Sequence, residues 1–236
     1  RSHQPEMELK ILRNGKEQTI LIEGKKDVDQ LYLWHIPTEV SHELLEGNIG
    51  LINPQKLEEG EIPQIMEKFR NTDGLIIDLR QYPGYSFYHE ISSYLGDSEK
   101  IFVQVAFPSQ SIPGTFVTDS MKRTAESWEY RGEIVVLTNE MSLSNAEYTV
   151  MSLQNAENVT VMGEETIGAD GNVARLPLPG NIEMLFTSLG VHTPEMGQTQ
   201  RVGLPPDIEV HPTIEGIKEG RDELLEAAVA YIREQK

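Results

Sequence analysis

The sequence predicts an α/β fold with a largely parallel sheet and a marginal hairpin at the N-terminus. Residues 75–79, 134–138 and 159–162 are short, continuously apolar runs, the pattern of strands buried on both faces. Segments between such runs carry apolar residues at helical spacing, as at Ile62, Ile65, Met66 and Phe69. Strands alternating with helices build parallel sheets, because a parallel pair needs a crossover long enough to be helical.

The elements follow in order. Residues 7–23 alternate apolar and polar around Asn14-Gly15, a pair that accepts the positive φ angles of a tight hairpin turn. A hairpin this short cannot make a domain alone. Residues 24–47 read as a polar connector with an aromatic knot, Tyr32-Leu33-Trp34-His35. A core domain is expected over 48–236. It opens with a strand at 49–52, ended by Asn53-Pro54, and a helix over 62–69. The strand Leu75-Ile76-Ile77-Asp78-Leu79 runs into the turn Gln81-Tyr82-Pro83-Gly84, and Phe87, Ile91 and Leu95 predict a further helix. Strands are expected at 101–107, 134–138 and 159–162, with a helix over 143–154. A second hairpin is read at 172–186 around Pro179-Gly180, and an amphipathic helix over 217–235 closes the chain.

Composition narrows the function. Thirty-eight acidic against 20 basic residues give a net charge of −18, a field that repels phosphate backbones, so nucleic acid is not an expected partner and an anionic membrane surface is disfavoured. No apolar run approaches the ~18 residues of a membrane span. With no cysteine, the chain has no disulfides, no thiol nucleophile and no thiolate-held metal. No pair or cluster of histidines and carboxylates has metal-ligand spacing, so neither a metal nor another cofactor is expected.

Three stretches could carry chemistry. In Thr138-Asn139-Glu140-Met141-Ser142-Leu143-Ser144-Asn145-Ala146-Glu147 a buried strand enters a Ser-rich turn and then a helix. A serine at that junction stands above the sheet edge, beside the free N–H groups and positive dipole end of the helix, as a nucleophile would. Ser144-x-x-Glu147 is equally a capping box, which needs no catalysis. Pro83-Gly84, after a buried strand, is a plain turn or one that aims a backbone N–H at a neighbouring strand end. Residues 163–171 carry three glycines but lack the spacing of a phosphate-binding or dinucleotide loop.

These pieces also occur in an order that resembles a known family. Gly50-Leu51-Ile52, Asp73-Gly74-Leu75-Ile76-Ile77-Asp78-Leu79-Arg80 with Pro83-Gly84, Ser142-Leu143-Ser144-Asn145-Ala146-Glu147, Gly163-Glu164-x-Thr166-x-Gly168 and Gly203-Leu204-x-Pro206-Asp207-Ile208 are similar to the core of the tail-specific (C-terminal processing) serine proteases, relatives of the tricorn protease core. The resemblance spans residues 48–211. It implies a ClpP/crotonase-like superhelical α/β core and a serine-type peptidase acting on peptide or protein substrates near their C-termini. It further implies a location in the bacterial envelope or outside the cell. Ser144 falls on the nucleophile, and the N–H groups of Gly84 and Asn145 fall on the oxyanion donors. Many members carry a PDZ domain before the core, and the hairpin at 7–23 resembles the last two strands of one.

The resemblance fails at the general base. The lysine of the Ser–Lys members falls on Ala169, and no lysine occurs between Lys122 and Lys218. The histidine of tricorn-like members falls near Asn53, and Gln200 and Arg201, with Glu195 further back, stand where a helping glutamate is expected. A serine hydroxyl needs an activating base, and the remaining candidates are His35, His42, His89, His192 and Asp170. Tyr32–His35 and Phe87-Tyr88 could line a peptide groove or anchor the core. Three readings therefore compete: a serine peptidase, a peptide-binding relative with weakened catalysis, and a crotonase-like acyl-CoA enzyme. The last needs a basic site for CoA phosphates, which the net charge opposes.

Overall fold

The computed structural model describes residues 6–23, 39–96, 99–125 and 128–235. The chain divides into two compact units, one ending at His35 and the other beginning at Ile36. In the first, β1 (Glu6–Arg13) and β2 (Lys16–Glu23) pair antiparallel from Glu6↔Glu23 to Arg13↔Lys16. Asn14 and Gly15 turn between them at φ 54° and 70°, as the sequence predicts. The aromatic knot at 32–35, with His35, lies outside the described residues.

The second unit runs β3 (His42–Leu45), β4 (Ile49–Ile52), a 3-10 turn (Pro54–Lys56), α1 (Ile62–Phe69), β5 (Gly74–Asp78), α2 (Tyr88–Ser92) with a 3-10 turn (Ser93–Leu95), β6 (Ile101–Pro108), β7 (Phe116–Lys122), β8 (Glu133–Thr138), α3 (Asn145–Leu153) and β9 (Val159–Gly163). It continues with β10 (Val173–Leu178), β11 (Ile182–Thr187), β12 (Gly190–His192), β13 (Ile208–Glu209), α4 (Ile214–Glu219) and α5 (Glu223–Glu234). A six-stranded sheet has the order β13-β9-β8-β5-β4-β3, parallel throughout except for β3. The three most apolar runs are thus adjacent central strands, and the fold is mixed α/β with a parallel-containing sheet.

Alternation along these strands supplies two core layers. Leu75, Ile77, Ile134, Val136 and Val161 face α1–α3, which contribute Ile62, Phe69, Ile91, Ala146 and Val150. Ile76, Val135, Leu137 and Met162 face α5 through Leu224, Ala228 and Ile232. Gly74 is a glycine because α5 passes directly over it: a Cβ there would lie 2.4 Å from Ile232.

Several expectations need correction. The end of the connector read at 24–47 is β3, an edge strand pairing His42↔Ile52 through Leu45↔Ile49. At four residues, His42-Glu43-Leu44-Leu45, with no alternation of burial, it offers a periodicity search nothing to find. The strand at 101–107 is β6, outside the parallel sheet; it is the centre of a three-stranded antiparallel sheet, β12-β6-β7. The closing helix is broken. Gly220, at φ 70°, ends α4 in a left-handed cap, and Asp222 starts α5 by accepting the Leu225 amide at 3.1 Å.

Candidate active site

The elbow after β8 is built from short polar side chains. Asn139 Oδ1 accepts the Met141 amide at 3.0 Å and Ser142 Oγ accepts the Asn139 amide at 3.0 Å, which tightens the turn. The Ser142 hydroxyl donates to the Leu79 carbonyl at 2.9 Å, fastening the elbow to the end of the neighbouring strand β5. Ser144 then sits at φ 51°, ψ −108° at the head of α3. A Cβ-bearing residue held there costs about 1–3 kcal/mol, a strain that persists only where the surroundings enforce it.

Glu147 enforces it. Its side chain is fully buried and four donors converge on it. Oε1 accepts Thr166 Oγ1 at 2.5 Å and the Gly168 amide at 2.9 Å; Oε2 accepts the Ser144 amide at 3.0 Å and the Ala169 amide at 3.1 Å. The carboxyl half of the expected capping box is therefore present. The Ser144 hydroxyl faces the Glu147 amide in the box arrangement but makes no cap hydrogen bond of ordinary geometry. Glu147 also binds together two segments that the sequence shows only as separate motifs. Thr166 Oγ1 in turn accepts the Leu204 amide at 2.8 Å, which draws in the Gly203-Leu204-x-Pro206-Asp207 segment. Gly168, at φ 71°, admits no side chain: a Cβ would lie 2.7 Å from the Gly203 nitrogen.

Ser144 opens into a cleft of about 390 Å³ with Asn145, Tyr82, Tyr88 and Tyr148, walled further by Val105, Met121 and Leu189. That volume suits a side chain or small ligand. Burial pushes the phenols of Tyr88 and Tyr148 upward, the latter with help from Asp170. Of the aromatic pair read as a groove lining, Tyr88 lines the cleft and Phe87 is buried in the core. Val105, Met121 and Leu189 reach the cleft from the antiparallel sheet and its approach, and no local sequence signal marks them.

The oxyanion residues fare differently. Asn145 is the first residue of α3, where the amide has no acceptor within the helix, and no hydrogen bond occupies it among the described residues. The Asn145 side chain donates to the Tyr85 carbonyl at 2.8 Å, so the turn bearing Gly84 does lie beside the elbow. The Gly84 amide, however, donates to the Pro54 carbonyl at 2.9 Å, and Gly84 packs against the carbonyls of Gln55 and Leu57. In this structure that donor is spoken for: the turn folds back on the segment after β4, which satisfies it locally.

No histidine is brought to the serine among the described residues lining the cleft. His42 sits on β3 edge-on to Phe69, its pKa lowered by burial. His89 packs tilted against Tyr88 and edge-on to Phe102, its pKa also lowered by burial. His192 lies on β12 with its Nδ1 buried. Asn53 is buried and donates to the Val40 carbonyl at 3.2 Å. Glu195 is exposed, whereas Gln200 and Arg201 act structurally: Gln200 Nε2 donates to the Asp170 carbonyl at 3.1 Å, and the Arg201 amide donates to the Gly168 carbonyl at 2.7 Å. Ala169 is exposed, and the next residue, Asp170, is buried.

Residues 48–210 match peptidase family S41. The chain is similar to the carboxy-terminal-processing protease of Bartonella bacilliformis, 26% identical over 195 residues, which cover 77% of this chain and 43% of that protein. This chain therefore spans less than half of that relative's length. Among solved structures, a Parabacteroides merdae chain classed as a peptidase superposes with a TM-score of 0.68 at 22% identity, covering 81% of this chain and 63% of that one. Mature CPAF complexed with lactacystin gives 0.68 at 15% identity, covering 98% and 69%. At these identities the two superpositions establish a shared fold.

Proposed function

The chain belongs to peptidase family S41, and from that premise we propose that it is a serine peptidase whose nucleophile is Ser144. The observation that carries this is the conformation of Ser144 itself, φ 51°, ψ −108°, at a strand-to-helix elbow opening into a cleft. A strained serine held by a buried carboxyl has a cost without a structural return unless its hydroxyl is used. The hydroxyl oxygen attacks the carbonyl carbon of a peptide bond while its proton passes to a base. The oxyanion forms beside the Asn145 amide, the C–N bond breaks as the leaving amine takes that proton, and water then hydrolyses the acyl-enzyme, releasing the acid and returning the proton to the serine. Substrates are peptides or proteins. Cleavage near C-termini, an envelope or secreted location, a ClpP/crotonase-like core and a PDZ origin for β1–β2 are carried from the family resemblance and from the relative's name. A fluorophosphonate probe should label the chain, and Ser144→Ala should abolish labelling. A wild-type protein that stays unlabelled while folded would remove the assignment.

Two observations favour a second reading, a peptide-binding relative with weakened catalysis. The Gly84 amide is occupied by Pro54, and among the described residues lining the cleft there is no histidine, lysine or carboxylate. That reading expects peptide binding without covalent labelling.

A further inference from the structure

Beside Glu147, which accepts the Ser144 amide, is a buried acid that does not line the cleft. Asp170 is 2% exposed, and neither of its carboxyl oxygens has a hydrogen-bond partner among the described residues. Burying an ionised carboxylate without donors is costly. The polar groups that face it are Glu147 and Tyr148 from α3 and Thr199 from the turn before Gly203. Glu147 already accepts four hydrogen bonds, and the Thr199 hydroxyl spends its hydrogen on the Val191 carbonyl at 2.9 Å. Thr199, whose hydrogen already goes to the Val191 carbonyl, therefore offsets the rise in the Asp170 pKa only in part, while Glu147 presents lone pairs toward Asp170. An ionised carboxylate has only lone pairs to answer them; a protonated one has a hydrogen to give.

We propose that Asp170 is a positioning residue that works as a neutral acid, its retained proton limiting the buried Glu147–Asp170 pair to one negative charge and so keeping the Ser144 elbow latched to the 166–170 loop. Its catalytic consequence rests on the reading of Ser144 as nucleophile. Burial first, and then the charge of Glu147, pushes the Asp170 carboxyl up to about 8. The latch has one shared atom: Glu147 Oε2 receives the amides of both Ser144 and Ala169, at 3.0 and 3.1 Å. Asp170 cannot swing clear cheaply, because its own carbonyl is held by Gln200 and the preceding Gly168 carbonyl by the Arg201 amide. Loss of the proton places a second negative charge against Glu147 in a site with few donors. Relief comes by moving the 168–170 segment or by Glu147 releasing its donors, and either removes the acceptor that holds Ser144 in its strained conformation.

Three measurements on the full chain test this. The carbon-13 shift of the Asp170 carboxyl, followed against pH, should report a neutral acid through pH 7. Protection of the Gly168 and Ala169 amides, corrected for intrinsic exchange, should fall about tenfold per pH unit once Asp170 ionises. Asp170→Asn, which keeps the shape and a donor but cannot ionise, should show no such fall. The rate of fluorophosphonate labelling should drop on the alkaline side in wild type, and the normalised profile of Asp170→Asn should lack that drop. A carboxyl titrating near the ordinary ~4, or the same alkaline loosening in Asp170→Asn, overturns the proposal. If Asp170→Asn does not fold, the wild-type carboxyl titration still decides. Absence of Ser144 labelling at every pH would sink the peptidase reading instead, and the titration and exchange would then judge the latch alone.

Discussion

At Ser144 a side chain occupies backbone space that glycine enters freely, since φ 51°, ψ −108° is close to the mirror image of an extended residue. Ser144→Gly should therefore stabilise the protein by about 1 kcal/mol while abolishing probe labelling, whereas Ser144→Ala keeps the strain and gains nothing comparable. Urea midpoints of the two variants would check this; equal midpoints would mean the elbow is relaxed. Glu147 is the counterpart that holds the strain. Glu147→Gln keeps the volume but turns an NH2 toward donors, so at least one buried amide or hydroxyl loses its acceptor. A cost of ~2–4 kcal/mol is expected, with loss of labelling. The pair Ser144 and Glu147 was legible in sequence as a capping box. The convergence of Thr166, Gly168 and Ala169 on the same carboxyl was not, because it depends on a loop some twenty residues away returning to the helix.

Among the elements, the 163–171 loop and the start of α5 decide most. Ala169, which the family resemblance sets against the family's lysine, is exposed, with its amide on Glu147. If that position faces the serine, a lysine introduced there and partly desolvated would have a lowered pKa and could serve as a base. Ala169→Lys should then raise Ser144-dependent labelling or hydrolysis by ~10²–10⁴-fold, an effect erased by Ser144→Ala. A folded variant with no gain would mean that the loop aims this position elsewhere. At the other end, Asp222 caps α5 and binds Arg80 Nη1 and Nη2 at 2.8 Å, while Asp78 takes Arg80 Nε at 2.9 Å. Asp222→Ala removes a cap and leaves a buried guanidinium half-partnered, at a cost of ~2–4 kcal/mol by denaturant unfolding. The capping letters around Gly220 and Asp222 were available in sequence. The apolar period running across them masked the break, and Arg80, 142 residues away, gave no local signal.

For the whole molecule, two carboxyls set opposite pH trends. Asp170 is raised in the folded state to about 8, so between the ordinary ~4 and that value the folded chain binds a proton that the unfolded chain does not. Its contribution to stability is complete below about pH 4 and is lost as pH rises to about 8. Asp222 is lowered: burial works against its charge, and Arg80 overcomes this. Its contribution is present above about pH 4 and is lost on acidification below that. Unfolding free energy measured from pH 5 to 8 should decline in wild type and stay flatter in Asp170→Asn. The net charge of −18 adds self-repulsion that salt screens, so moderate salt should raise the melting temperature.

The sequence by itself determined the strands β4, β5, β8 and β9, the helices α1 and α3 and the elbow at Ser144. Continuous apolar runs, 3.6-residue periods and turn residues are local properties, and burial of those runs admits few other arrangements. The same holds for the order of motifs from which Ser144 is proposed as the nucleophile. Only the tertiary structure decided which amides are free to act. Gly84 was expected at the oxyanion and is bound instead to Pro54, because whether a turn aims its N–H at a cleft or back on a neighbour depends on what packs beside it. Likewise, Asp170 stands in the sequence only as one of several candidate bases. It becomes a buried acid only when α3, with Glu147, and the turn at Thr199 close over it and leave its carboxyl short of donors.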